Sequence, residues 1–188
     1  MICSRLEGSP IRIGVHQFVR LFVTRFLATV VLVVMLTGGA VAGALEEAWA
    51  AYEHGDYATA LRLWRPLAAQ GNAFAQSNLG FMYDSGQGVQ QDYGEAAKWY
   101  RLAAEQGNAR AQSNLGSLYA SGEGVPQDYV QAYMWFDLAA SRFSASEAEE
   151  REDTLYNRNK AGALITPEQV AEAQKLAREW KPVKPGVP

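Results

Sequence analysis

Apolar side chains recur along this chain with the spacing of a helix. Ala75, Leu79, Met82 and Tyr83 fall on one face at i, i+4, i+7 and i+8. Ala111, Leu115, Leu118 and Tyr119 repeat the pattern. A second kind of stripe lies between them, Ala96, Trp99, Tyr100 and Ala103, and it returns as Ala132, Trp135, Phe136 and Ala139. The elements are therefore paired helices. Their punctuation agrees. Asn72 and Asn108 stand as N-caps after a glycine, and Gly86-x-Gly88-Val89 and Gly122-x-Gly124-Val125 break the first helix of each pair. Those glycines are expected at positive φ, with the valine plugging the loop onto the core. Asp92 and Asp128 open the second helices, and Glu95 and Gln131, three residues on, are placed to close capping boxes.

The two pairs are copies. Residues 73–108, AFAQSNLGFMYDSGQGVQQDYGEAAKWYRLAAEQGN, align without a gap on 109–144, ARAQSNLGSLYASGEGVPQDYVQAYMWFDLAASRFS, with 20 of 36 positions identical. A period in this range means a solenoid or an array. A partial third copy precedes them. Asp56-Tyr57-x-x-Ala60 matches Asp92-Tyr93-x-x-Ala96, and Gln70 to Ala73 matches Gln106 to Ala109, with a first loop shorter by five residues. Large rings (Tyr83, Trp99, Tyr100) alternate with small residues (Gly80, Ala96, Ala103), so helix axes approach closely and rings fill the remainder. Trp99 and Trp135 are expected at equivalent buried positions. One such hairpin cannot bury its own face, and stacked hairpins can.

After Ser144 the period is lost. Ser146 to Ala161 reads as a charged helix with Glu149 at a capping-box position. Thr166-Pro167-Glu168-Gln169 opens a last helix through Trp180, the atypical terminal cap of a repeat array. Residues 181–188, rich in proline, are expected to be disordered.

The motif A-x-A-Q-x-N-L-G-x-M-Y, then G-x-G-V-x-Q-D-Y, then A-x-x-W-Y-x-x-A-A-E-Q-G-N resembles the Sel-one-like repeat family, within the tetratricopeptide-repeat superfamily. The resemblance covers Leu45 to Phe143, with 45–72 similar to a tetratricopeptide-type first hairpin, and the ending through Trp180 is similar to that of exported bacterial members. It implies an all-α fold, a right-handed αα-superhelix of antiparallel helix pairs, and a role as a scaffold for protein complexes with no chemistry or cofactor of its own. One cysteine-rich subgroup is linked to β-lactam binding and hydrolysis. That activity does not carry over, because Cys3 is the only cysteine here.

The first 44 residues change the picture of where the chain works. Arg5, Arg12, Arg20 and Arg25 precede the uncharged run Phe26 to Leu36, and small residues follow to Ala44. This is the layout of a cleavable signal peptide, with cleavage after Ala44 or, as second choice, Ala42. The alternative is an uncleaved inner-membrane anchor over Phe26 to Leu45. Cleavage leaves residues 45–188 in the periplasm or secreted, without membrane association. That segment has 13 basic and 19 acidic residues, net −6, and no thiol, which suits an oxidising compartment. The charge argues against nucleic-acid binding, and with one cysteine and two histidines (His16, His54) the chain has no cysteine-pair zinc site and no histidine-rich metal centre.

Candidate chemistry is thin. His54 sits in a short loop without a recurring partner, Asp92 and Asp128 are placed as caps, and the glycine loops lack the Lys and Ser/Thr of a phosphate loop. The acidic run Glu147 to Asp153 reads as a solvated helical face. What remains is surface. Phe74, Ser77, Phe81 and Asp84, with Arg110, Ser113, Ser117 and Ala120 one repeat on, lie opposite the core on the first helices. Core positions match between copies while outward ones vary. The expectation is a non-catalytic adaptor that binds a protein or peptide in the bacterial cell envelope, with Phe74 and Phe81 as anchors and Arg110 fixing polarity. Two alternatives stand beside it: that Phe74 packs on Trp64 of the preceding hairpin, and that the protein is an envelope hydrolase or glycan-binding protein acting on cell-wall material.

Overall fold

A computed structural model describes residue 39 and residues 41–183. The apolar run 26–36 and residues 184–188 lie outside them. The expected cleavage motif, Ala42-Gly43-Ala44, falls in the first described helix.

The fold is that of the compact unit Ala44–Pro188. Helix α1 spans 41–53, followed by α2 (Tyr57–Ala69), α3 (Ala73–Ser85), α4 (Tyr93–Glu105), α5 (Ala109–Ser121) and α6 (Tyr129–Ala140). A single 3-10 turn, Ala145–Glu147, leads into α7 (Ala148–Gly162), and α8 (Pro167–Glu179) ends the array. Among the described residues all regular structure is helical. From α2 to α7 each helix packs on the next, α8 packs back on α6, and the first helices of successive pairs also touch, α3 on α5 and α5 on α7. This is an all-α solenoid of antiparallel helix pairs.

The caps form as the sequence dictates. Asn72 and Asn108 Oδ1 accept from the N–H of Ala75 and Ala111 at 2.9 Å. Asp92 Oδ1 accepts from Glu95 N–H, and Asp128 Oδ1 from Val130 and Gln131. The reciprocal half of the expected boxes is missing among the side-chain bonds, because Glu95 turns instead to Lys98. In the C-terminal segment the box is two residues earlier than expected. Ser144 and Glu147 form it, not Ser146 and Glu149, since the chain first makes the 3-10 turn. Thr166 and Gln169 close the box predicted for α8, with Pro167 at its first turn.

Close helix approach is written into the small residues. Gly80 faces the Tyr100 ring so tightly that a Cβ would lie 2.5 Å from Tyr100 Cδ1, and at Gly116 the Phe136 ring would be 2.9 Å away. The second glycine of each loop lets a hairpin sit on its predecessor. Gly124, at φ +69°, rests against the Tyr93 carbonyl, where any Cβ would overlap the backbone. A repeated glutamine adds a bond between hairpins that periodicity alone does not reveal. Gln76 Nε2 donates to the Ala68 carbonyl and Gln112 Nε2 to the Ala104 carbonyl, each at 3.0 Å, satisfying helix-end acceptors of the preceding pair.

The two tryptophans are not equivalent. Trp135 is buried, crossed edge-on by Trp180 at 6.4 Å. Trp99 is only half-buried, because α4 packs on α3 and α5 without the second covering helix that α8 provides for α6. The rings fully buried at equivalent positions are Trp64, Tyr100 and Phe136. The tail also departs from expectation at its start. Val183 N–H donates to the Glu105 carbonyl at 2.8 Å, and Trp180 lies under the Arg142 guanidinium at 4.4 Å. Backbone bonding and stacking hold 181–183 to the body.

Candidate functional site

The outward face of the first helices carries a nest of rings. Trp49 and Tyr52, a turn apart on α1, stack at 5.6 Å. Tyr52 lies 5.6 Å from Trp64 of α2 and meets Phe81 of α3 edge-on at 6.3 Å. Phe74 lies 6.1 Å from Trp49. Such geometry is favourable for aromatic pairs. Phe74 and Phe81 nevertheless remain 39% and 42% exposed. Phe74 therefore does pack on the preceding hairpin, but on Trp49, while leaving an open edge. Tyr52 donates its hydroxyl to Gln87 Oε1 at 2.6 Å, and burial raises its pKa.

Two adjoining clefts run along this face. The first, about 210 Å³, is walled by Trp49, Tyr52, Trp64 and Phe81 and reaches Arg110 and Asn114 of α5. The second, about 260 Å³, lies between Phe74 and Arg110 and extends to Arg142 and Glu147. They share Ser77, Asn78 and Arg110 as a common wall. Phe74, Phe81 and Arg110 thus line one pair of clefts, but Ser117, expected on the same surface, does not, and Ser77, expected on the outward face, is buried at their floor between α3 and its neighbours.

The other residues are occupied elsewhere. Asp84 accepts from the Tyr100 hydroxyl at 3.1 Å, and its pKa is raised mainly by burial, with the nearby Glu123 charge acting in the same direction. Ser113 shares a 2.8 Å bond with Thr154 of α7. Ser117 donates to the Ser113 carbonyl and lines a separate cleft of about 390 Å³ beside Tyr129, Lys160 and Leu164. Arg110 is not a free cation. It pairs with Glu147 at 3.3 Å and Glu150 at 3.1 Å, so part of the acidic run is bound rather than solvated. His54 is exposed, its Nδ1 2.7 Å from the Ala50 carbonyl. Among the described residues no cluster of three His, Cys, Asp or Glu side chains is placed to hold a metal.

Sequence reasoning missed Trp49, Tyr52, Asn78 and Asn114, and named Trp64 only as a packing partner for Phe74. Trp49 and Tyr52 stand three apart, the spacing of one helix face, but the first hairpin diverges from the repeat there and so offers no aligned copy. Asn78 and Asn114 repeat at the 36-residue offset, which was the available signal.

A family model described as Sel1 repeat matches residues 73–108 and 109–142. No curated protein matches the chain. Among solved structures, a Sel1 repeat protein from Oxalobacter formigenes is 34% identical with a TM-score of 0.51, over 62% of this chain and 91% of that one. The protein c5321, described as a protective antigen present in uropathogenic Escherichia coli strains and displaying an SLR fold, is 33% identical with a TM-score of 0.65 over 77% of this chain. This chain spans 30% of the length of c5321. With the repeat present twice, and nearly all of a Sel1 repeat protein covered at this identity, the chain belongs to the Sel1 repeat family.

Proposed function

We propose that the protein is a non-catalytic repeat scaffold of the bacterial cell envelope that captures a polypeptide along the first-helix face of its solenoid. The reading rests on the paired clefts flanked by the open edges of Phe74 and Phe81. Large rings at the centre of a groove are the usual anchors of a protein interface, because they remove much apolar area from water at little cost in rotamer freedom. Repeat architecture supplies the rigidity. The groove is built on helices locked by caps and by the Gln76 and Gln112 bonds, so little ordering is needed on binding. Export rests on the basic, apolar and small-residue layout of the first 44 residues.

Phe81→Ala tests the groove. Its ring is largely outside the core, so the melting midpoint is expected to stay near wild type, while capture of partners from an envelope extract weakens by about 1–2 kcal/mol. Unfolding by Phe81→Ala would make the ring a core residue. Unchanged capture in Phe74→Ala/Phe81→Ala would move the docking face elsewhere. Export is tested by N-terminal sequencing from the envelope fraction, with residue 45 or 43 expected first. An intact chain retained in the membrane replaces cleavage with an anchor.

A further inference from the structure

Burial sorts the cations of the array. Among the described residues every lysine and arginine is exposed except Arg142 and Arg158, which are half-buried. Arg158 has the partner that burial calls for, Asp137 at 2.8 Å. Arg142 pairs with no carboxylate among the described residues. Part of its guanidinium serves the fold. Nη1 donates to the Leu138 carbonyl near the end of α6 at 2.9 Å and to Ser141 Oγ at 3.2 Å, and Trp180 covers one face at 4.4 Å. Nε and Nη2 make no hydrogen bond within the described residues. Beside Nε stands Gly107, where a Cβ would lie 3.6 Å from that nitrogen, so no side chain covers this edge. Burial lowers the Arg142 pKa, as expected of a cation that has lost water without gaining an anion. Both Arg142 and Gly107 line the second cleft, beside Phe74 and Arg110.

We propose that Arg142 is the polar anchor of the groove and binds the side-chain carboxylate of one Asp or Glu of a captured peptide, while an apolar side chain of the same peptide sits against Trp49, Tyr52 and Phe81 in the adjoining cleft. The proposal rests on the peptide-capturing reading of the groove and names its specificity element. Charge selects the occupant. The second cleft is lined by two cations, Arg110 and Arg142, and one carboxylate, Glu147. Glu147 is engaged with Arg110, which Glu150 also holds. One guanidinium is therefore left for the ligand, and its Nε and Nη2 edge is the fork that a carboxylate meets with two parallel bonds. Glu147 in the same cleft repels a second negative charge, which favours a single carboxylate over a phosphate dianion or a run of acids. The clefts adjoin across Ser77, Asn78 and Arg110. A chain anchored in the first continues across the second and meets Arg142 with a side chain rather than with its end. The stack on Trp180 and the bonds of Nη1 hold the guanidinium in place, so little side-chain freedom is lost on binding.

The test uses the full chain, purified and immobilised, to select binders from a random dodecapeptide library displayed on phage with no free C-terminus. The selected peptides are then made synthetically with acetylated and amidated ends. Each is expected to carry an Asp or Glu close to an apolar residue. Changing that acid to its amide is expected to weaken binding to the wild-type protein about tenfold, the size of a lost charge-assisted bond. Arg142→Gln is expected to weaken the acidic peptide by the same factor and to leave the amide peptide unaffected, so that the two changes together cost no more than either alone. Because Arg142 also bonds the end of α6, a charge reversal separates recognition from folding. A peptide with Lys in place of its acid is expected to bind Arg142→Glu more tightly than it binds wild type, a gain that damage to the fold cannot produce. Selected peptides without an acid, or equal losses for acidic and amide peptides in Arg142→Gln, overturn the anchor. The groove reading then stands if Phe81→Ala still weakens them. If no peptide binds, both fall. If only peptides with a free C-terminal carboxylate, or only phosphopeptides, respond to Arg142→Gln, the site reads another anion and the proposal is overturned.

Discussion

Gly80→Ala opposes two effects of known size at one position. Gly80 lies inside α3, where alanine is favoured over glycine by about 1 kcal/mol because less backbone entropy is lost on folding. Against this, the added methyl would stand 2.5 Å from Tyr100 Cδ1 and 2.7 Å from Cε1. The ring must move by close to an ångström to reach ordinary contact distance. It is poorly placed to do so, being fully buried and tied at its hydroxyl to Asp84. Overpacking of this kind costs about 1–3 kcal/mol, and breaking a tether adds about 1 kcal/mol. The clash therefore wins, with a net loss of about 1–3 kcal/mol. Gly116→Ala is the internal reference. There the methyl would be 2.9 Å from the Phe136 ring, which has no hydroxyl to hold it, so the loss is smaller. Denaturant melts of the two variants should rank Gly80→Ala below Gly116→Ala. Gly80→Ala/Tyr100→Phe, which frees the ring, should recover part of the difference. A Gly80→Ala protein as stable as wild type would show that helix propensity decides, and that the helix pair has slack the packing does not suggest.

Two further outcomes follow from burial. Trp135→Ala should cost about 3–5 kcal/mol in denaturant melts, since the ring is 7% exposed beneath Trp180, whereas half-buried Trp99 should cost about half as much, and equal losses would refute the difference in covering helices. Burial raises the Asp84 pKa, so folding favours its protonated form, and the group's contribution falls as pH rises through the carboxylate range. Asp84→Asn, which keeps an acceptor for Tyr100, should therefore gain on wild type as pH is raised from about 3 to 7, while parallel stability curves would mean the carboxylate is well solvated.

The helix pairs, their phases and most caps were legible because each is a local rule repeated at a fixed offset. Leu79 and Leu115, or Asn72 and Asn108, confirm one another. Features that depend on what covers a residue were not legible. Trp99 and Trp135 occupy the same repeat position, yet only Trp135 has α8 over it, and α8 lies outside the period. Likewise Arg110 reads as a free groove cation until α7 folds back, placing Glu147 and Glu150 within 3.3 Å. The groove itself was half legible. Phe74 and Phe81 stand out by failing to match Arg110 and Ser117. Trp49 and Tyr52 lie in the hairpin where the alignment stops, so nothing in the repeat marked them.

That break locates the chemistry of the array. Along the solenoid the contact between one pair's second helix and the next pair's first helix is built three times, and its buried polar atoms are settled differently each time. At Tyr100 the hydroxyl is satisfied within its own pair, donating to Asp84 at 3.1 Å. At Phe136 there is no polar atom on the ring to satisfy. At Trp64 the indole N–H has no partner among the described residues, as is also true of Trp135 beside Phe136, and Trp64 lies in the hairpin with the most exposed rings around it. Natural sequences keep local choices consistent with the fold and depart from that at working positions. The substitution of an indole for a phenol at this one interface is such a departure. It gives up an internal hydrogen bond in a core position that a tyrosine fills one repeat later, and it does so beside the cleft where Phe81, Ser77 and Arg110 converge.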